Sequence, residues 1–402
     1  MSGFKKLLLL TVACVSVIFI EGTHAQQVTQ QPVQRPRRVG GSEQTTDQKK
    51  GTPGSDEVGE GDVIRTDTQL VSVPAVVTDA SGRPLSGLKP ENFRIIEDGQ
   101  PQSIANFGTT ETPFEIALLL DTSGSTRDDV ALIRSAANSF IEALRPGDRV
   151  GIVSFNQQTG FGDPVASVEV LSPLTGDREG LRTAIDNLGA SQGTPYYDAL
   201  ERVADGIFHD PPKEDVRGRR AVVALTDGVD SSSNSDFVNA RMKLARAGIA
   251  CYFIQVNTED FVEDRLMKDC QDDGQLSLSK RQIERYRQLF FPKAKEENFN
   301  SFCQMGPFER MSISRELYNL ARREMNDLAR GSGGRSFVAE TLADARAAFS
   351  RVAADIGTQY SLGYYPTNKA RDGKFRSIKL EVRGLREKTQ IRGRDGYYAP
   401  KQ

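Results

Sequence analysis

Ile116-Ala-Leu-Leu-Leu-Asp-Thr-Ser-Gly-Ser125 decides the fold. Its first five residues are apolar without alternation, as a strand must be when both of its faces are covered. Its last five change abruptly to small and oxygen-bearing residues, which suits a loop leaving the carboxyl end of that strand. A helical pattern follows, with Val130, Ile133, Ala137, Phe140 and Leu144 on one face. Strand, polar loop and helix in that order open an α/β unit with a parallel sheet.

Working outward, the alternation repeats. Val150 to Phe155 and Val165 to Leu171 read as strands, with helices at about 179–188 and 195–208. Ala221 to Leu225 is again fully apolar, a helix spans about 235–246, and Ile249 to Val256 is a further strand. Beyond an interruption, a helix carries Ile313, Leu317, Leu320 and Leu328, a short strand lies near Phe337, and a last helix carries Leu342, Phe349, Val352 and Ile356. The expected fold class is α/β: a Rossmann-like, doubly wound, mainly parallel sheet over residues 112–357, with an insertion at 257–312.

The flanks have the other periodicity. Val71, Val73, Ala75 and Val77 alternate as a half-buried strand does, Asp79-Ala-Ser-Gly82 is a turn, and Phe93 to Glu97 is a second strand. Asp98-Gly99 is a hairpin turn signal leading to a third strand, Ile104 to Phe107. Tyr360 to Tyr364, Phe375 to Val382 and Gln390 to Arg392 are strands of the tail. Residues 63–111 and 358–402 are therefore expected to pair into one accessory β-sandwich-like domain, with the α/β domain inserted between them.

The first 25 residues have the order of a secretory signal: Lys5 and Lys6, an apolar-to-small run from Leu7 to Ile20, then small Thr23 and Ala25 before the cut. Fourteen helical residues reach only about 21 Å, short of a hydrocarbon core of about 30 Å. Residues 26–62 are rich in Gln, Pro, Gly, Ser, Thr and charges, the composition of a disordered linker. The expectation is an exported protein, periplasmic, cell-envelope or extracellular, without a transmembrane span once the signal is removed.

Composition excludes several chemistries. The 402 residues carry 54 Asp plus Glu against 52 Lys plus Arg, a formal net charge of −2, which argues against nucleic acid as the main partner. Of two histidines, His24 falls in the signal, leaving His209 at the end of a helix running from Pro195. One histidine rules against a Ser-His-Asp triad or a multi-His zinc site. Three cysteines remain after the signal. Cys270 and Cys303 are expected to close the insertion as a disulfide, while Cys251, inside an apolar strand, is expected to be a buried thiol.

Candidate metal ligands converge at the carboxyl ends of the strands, where open α/β sheets bind ligands. Asp121, Ser123 and Ser125 leave the first apolar strand, and Asp227 in Leu225-Thr-Asp-Gly228 leaves the second. Gly193-Thr-Pro195 opens a helix, with Thr194 read as its N-cap and Pro195 at its first position. Five oxygens with no nitrogen or sulfur suit a hard divalent cation, Mg²⁺ first, with Mn²⁺ or Ca²⁺ as alternatives.

Asp121-x-Ser123-x-Ser125, Thr194 and Asp227 resemble the metal-ion-dependent adhesion site of von Willebrand factor type A domains. Gly193-Thr-Pro-Tyr-Tyr-Asp198-Ala-Leu and Leu225-Thr-Asp-Gly-Val-Asp230 resemble the family's flanking patterns. The stretches Val76-Val-Thr-Asp-Ala-Ser-Gly82 to Glu97-Asp-Gly99, and Gln359-Tyr-Ser-Leu-Gly-Tyr-Tyr-Pro366 to Gly396-Tyr-Tyr-Ala-Pro400, are similar to its exported bacterial branch. The resemblance implies a Rossmann-like domain that engages a partner protein's Asp or Glu carboxylate through the bound metal. Asp198 and Asp230 are read as helix-dipole and turn residues.

The expected function is an exported binding module without catalytic residues. An envelope scaffold binding through its β domain is the alternative, and a metal-dependent hydrolase a weaker one. A phosphoryl-transfer site would want an Asp-x-Asp pair where position 123 is Ser, and no Gly-rich phosphate loop is present. The insertion has an acidic first part (Glu259, Asp260, Glu263, Asp264) and a basic, aromatic middle. It is either a helical excursion packed by Ile283, Leu289 and Phe290 or a lid over the metal edge, with Glu259 or Asp260 close enough to act as an internal ligand.

Overall fold

The computed structural model describes residues 70–123, 130–158, 165–191, 193–212, 219–267, 278–293, 305–385 and 388–401. The signal and linker stretches, Ser125, Cys270 and Cys303 lie outside them. The described residues all belong to one compact unit, Arg65–Gln402. In chain order the elements are β1 (Val71–Asp79), β2 (Phe93–Glu97), β3 (Gln100–Gln102), β4 (Ile104–Gly108), β5 (Glu115–Leu120), α1 (Val130–Ala143), β6 (Arg149–Gln158), β7 (Val165–Thr175), α2 (Arg178–Asp186), α3 (Tyr196–Arg202), β8 (Arg220–Thr226), α4 (Phe237–Arg246), β9 (Ala250–Val256), α5 (Glu259–Leu266), α6 (Lys280–Phe290), α7 (Pro307–Ser332), β10 (Arg335–Ala339), α8 (Ala345–Gly357), β11 (Tyr360–Tyr364), β12 (Phe375–Val382), β13 (Thr389–Gly393) and β14 (Gly396–Tyr398).

The central sheet has the order β10-β9-β8-β5-β6-β7. All its pairs are parallel except β6 with the edge strand β7. Its first strand in sequence, β5, lies between β6 and β8, so the winding direction reverses there and leaves a crevice at the carboxyl ends of β5 and β8. The absence of alternation in β5 now has its physical cause. Ile116, Leu118 and Leu120 pack under α1, α2 and α8. Ala117 and Leu119 face α3, α4 and α7. Each such leucine taken from water contributes about 1.5–3 kcal/mol.

The flanks form two four-stranded antiparallel sheets, β13-β1-β11-β4 and β14-β12-β2-β3. Val73, Ala75 and Val77 of one face Phe93, Ile95 and Ile378 of the other across a shared core. This is the sandwich expected from both ends of the chain. The hairpin differs from expectation. Asp98 and Gly99 both take positive φ, as the tight turn requires. The turn leads to β3, and β4 crosses to the other sheet to pair with β11. Gln100-Pro-Gln102 carries no apolar period, and Pro101 is tolerated because β3 is an edge strand.

Two helix boundaries also differ. The segment after α3 continues as one π-helical turn, Val203–Ile207, and His209 lies beyond it, exposed, beside Asp210. Helix α7 begins at Pro307, inside the stretch read as insertion, with proline at its first position. No described helix is long and apolar enough to cross a membrane.

Candidate functional site

Three loops meet at the crevice between β5 and β8. The backbone of Asp121 donates to Leu225 O at 3.0 Å, which locks the start of the first loop to the end of β8. Ser191 N donates to Thr122 O at 2.9 Å, joining the loop before α3 to the first. Thr194 N donates to Ser231 Oγ at 2.8 Å, and Ser231 N returns a bond to Thr194 O at 3.0 Å, joining the second loop to the third. Asp121, Ser123, Thr194 and Asp227 are thereby brought to one sheet edge, each buried.

The carboxylates are individually oriented. Asp121 Oδ1 accepts from Ser123 N at 3.0 Å and its Oδ2 from Thr226 Oγ1 at 2.6 Å. Asp227 Oδ1 accepts from Val229 N at 3.0 Å and its Oδ2 from Thr258 Oγ1 at 2.7 Å. Gly228 turns this loop with φ +72°, and a Cβ there would stand 2.8 Å from Met325 Cε. Asp121 is only 1% exposed. Burial, and then the neighbouring charge of Asp227, push its carboxyl up to about 7. Asp121 and Asp227 are thus two buried carboxylates whose charges oppose one another. Together with an all-oxygen donor set, this fits a hard divalent cation. Among the described residues there is no cluster of three or more His, Cys, Asp or Glu. Any cation here would depend on hydroxyls for the rest of its shell.

The start of α3 departs from the sequence expectation. Pro195, not Thr194, is the N-cap residue, and it has no side-chain cap bond. The capping bonds come from the neighbouring loop. Asp230 Oδ1 accepts from Tyr196 N at 3.0 Å, and Ser233 Oγ accepts from Tyr197 N at 2.9 Å and Asp198 N at 3.1 Å. Asp230 is thus a remote cap rather than a turn residue, and burial pushes its carboxyl up to about 6. Asp198 in turn accepts from Asn234 N and Ser235 N, at 2.8 Å each.

The insertion does border this edge. Leu278, Met305, Ile313 and Leu317 form a small core against which Val229 of the site loop packs. Ser279 Oγ, at the head of α6, donates to Ser231 O at 2.8 Å. Arg285 donates to both oxygens of Glu324 at 2.7 and 2.8 Å, Tyr197 donates to Glu324 Oε2 at 2.7 Å, and the Arg285 guanidinium lies 4.8 Å from the Tyr197 ring centroid. Leu289, expected to pack the excursion, is 52% exposed. Glu259, expected as an internal ligand, is turned to α7, where Arg322 donates to it at 2.9 Å. Glu263 is paired with Arg315. Among the described insertion residues, Thr258 reaches the Asp227 carboxylate. Thr226, Ser231, Ser233 and Thr258 were unassigned from sequence. The only signal was their position within or beside strand-end loops.

Residues 116–229 match the family model of the von Willebrand factor type A domain. No curated protein matches the chain. Among solved structures, proximal thread matrix protein 1 from the mussel byssus is 13% identical with a TM-score of 0.38; 61% of this chain aligns, spanning about half (48%) of the mussel protein's length. The conserved hypothetical protein BatB from Bacteroides thetaiotaomicron is 14% identical with a TM-score of 0.36, covering 60% of this chain and 98% of its own. A von Willebrand factor type A protein from Catenulispora acidiphila is 11% identical with a TM-score of 0.40, covering 84% of this chain and 75% of its own.

Proposed function

Residues 116–229 form a von Willebrand factor type A domain, and from that premise we propose that the chain is an exported, metal-dependent protein-binding module. Asp121, Ser123, Ser125, Thr194 and Asp227 would hold the cation, Mg²⁺ first and Mn²⁺ or Ca²⁺ otherwise. Bound there, the cation would supply an electrophilic position for an Asp or Glu carboxylate of a partner protein. The observation that carries this reading is the buried Asp121–Asp227 pair at the sheet's switch point, with hydroxyl groups around it.

The same site makes a binder rather than an enzyme. Among the described residues the one histidine, His209, is exposed beside Asp210 beyond α3, which supports a binding rather than a nucleophilic role for Ser123. Export follows from the order of charges and apolar residues before Ala25, and places the partner in the periplasm, the envelope or outside the cell. The test is a pull-down from envelope extract with Mg²⁺ and then with chelator. Capture that collapses on chelation, and is absent for Asp121→Ala, is expected. Capture that persists in chelator would move the binding to the sandwich and make the chain a scaffold. Turnover of a generic phosphoester would overturn the non-catalytic assignment.

A further inference from the structure

Thr258 sits where helix α5 begins, and its carbonyl accepts the first helical bond, from Val262 N at 3.1 Å. A threonine in that place ordinarily turns its hydroxyl back onto the helix as a cap. Here the N–H of Glu259 goes to Asn257 Oδ1 at 3.1 Å, and the Thr258 hydroxyl donates to Asp227 Oδ2 instead. A hydroxyl has one proton. With that proton on Asp227, the Thr258 oxygen is left to accept, and the Tyr318 phenol stands 2.7 Å away. Tyr318 lies in the middle of α7 and is 4% exposed, so its O–H is held within the protein. The result is a buried chain from Tyr318 O–H to Thr258 O–H to the Asp227 carboxylate.

We propose that Thr258 and Tyr318 are positioning residues for Asp227, through which helices α5 and α7 set how tightly the site takes up its cation. The inference rests on the metal-binding reading of Asp227 given above. Outer hydrogen bonds of this kind fix a ligand's orientation, and a bond passed along a chain of hydroxyls is strengthened by polarisation. A second, independent hold supports it. Ser279 at the head of α6 bonds Ser231 O, and Ser231 pairs through its N–H and hydroxyl with the backbone of Thr194. The candidate ligand loops after β8 and before α3 are therefore both tied to elements that follow β9. Displacement of α6 or α7 by a bound partner would be felt at the site without any contact to it.

The experiment compares the wild-type full chain with Tyr318→Phe, Thr258→Val and Thr258→Ser, using Mg²⁺ alone as the probe. Calorimetric titration and thermal melts, with millimolar Mg²⁺ and with chelator, give the readouts. Tyr318→Phe and Thr258→Val should raise the Mg²⁺ dissociation constant about tenfold or more. Thr258→Ser keeps the hydroxyl and should stay near wild type. Equal dissociation constants in all four proteins, with melting lowered alike in Mg²⁺ and chelator, would reduce the chain to a structural role and overturn the inference. So would a loss in Thr258→Ser as large as in Thr258→Val. Should Tyr318→Phe fail to fold, the valine and serine variants decide alone. A wild-type protein that takes up no Mg²⁺ overturns the metal reading itself, and this inference with it.

Discussion

At the amino ends of β5, β6 and β8, Glu115 is completely buried. Arg149 donates to one of its oxygens and Arg220 Nε to the other at 2.7 Å. Beside it the buried Arg219 guanidinium stacks 4.2 Å from the Phe114 ring centroid and donates to the carbonyls of Thr109, Thr112 and Ile356. These last contacts lie on the two chain segments that lead to the sandwich. At the carboxyl ends of β5 and β8, Asp121 and Asp227 are buried too, and hydroxyls and backbone N–H groups donate to them. One end of the sheet pairs its buried carboxylate with arginine and uses a further arginine to tie the sheet to the segments leading to the sandwich. The other sets two buried carboxylates among hydroxyl and backbone N–H donors. A buried carboxylate is thus met by arginine at one end of the sheet and by hydroxyl groups at the other.

The largest way to break that contrast is at the amino end. Glu115→Ala leaves the buried Arg220 without its carboxylate, and unpairing a buried ion costs about 3–5 kcal/mol. Equilibrium denaturation in urea measures it. A loss below about 1 kcal/mol would mean that this end is not closed by Glu115. The next effect belongs to the carboxyl end. Mg²⁺ at about 100 times its dissociation constant should add about 2.7 kcal/mol, a gain that Asp121→Ala abolishes. Denaturation curves with and without chelator decide it. An unchanged curve in saturating Mg²⁺ would remove the distinction between the two ends.

Neutralising each carboxylate without shortening it sharpens the point. In chelator, Asp121→Asn removes a charge that burial and Asp227 both oppose, so stability at pH 8 should rise, by less than the full upward shift implies because the amide accepts less strongly from Ser123 N and Thr226 Oγ1. Glu115→Gln should lower it. Opposite signs for two acid-to-amide changes on one strand and its following residue are the expected outcome. A loss at both would show that Asp121 is held structurally like Glu115.

The sheet was legible because strands buried on two faces read as unbroken apolar runs, Ile116 to Leu120 and Ala221 to Leu225. The sandwich was legible from the alternation of Val71 to Val77, although its two halves lie far apart in sequence. Strand β3 was not, because an edge strand needs only its backbone for the ladder, and Gln100-Pro-Gln102 has no apolar signal. In the site, Asp121, Ser123, Thr194 and Asp227 could be placed by topology alone, since each adjoins a strand end or helix start. The hydroxyls that orient them could not. Thr226 serves Asp121 from 105 residues away, and Thr258 serves Asp227 from 31. Nothing in a local pattern records that a threonine before a helix has turned away from it.

The smallest effect separates two residues that the sequence pattern conflates. Thr194-Pro195 has the local form of a helix start whichever residue supplies the cap. The structure puts that task on Ser233, whose buried hydroxyl accepts from Tyr197 N and Asp198 N. Removing a cap costs about 1 kcal/mol. Ser233→Ala should therefore lower stability by about that amount in chelator and leave the gain from saturating Mg²⁺ unchanged. Thr194→Ala should do the reverse: a change of a few tenths of a kcal/mol in chelator, and a weaker Mg²⁺ gain at subsaturating metal. That weakening should be smaller than for Asp121→Ala, because a neutral oxygen is lost rather than a charge. Urea curves for both variants, at fixed submillimolar Mg²⁺ and in chelator, give all four numbers. If Thr194→Ala loses about 1 kcal/mol in chelator and keeps its Mg²⁺ gain, Thr194 is a structural residue of the α3 start. The carboxyl end would then hold fewer oxygens for a cation than the contrast with Glu115 requires.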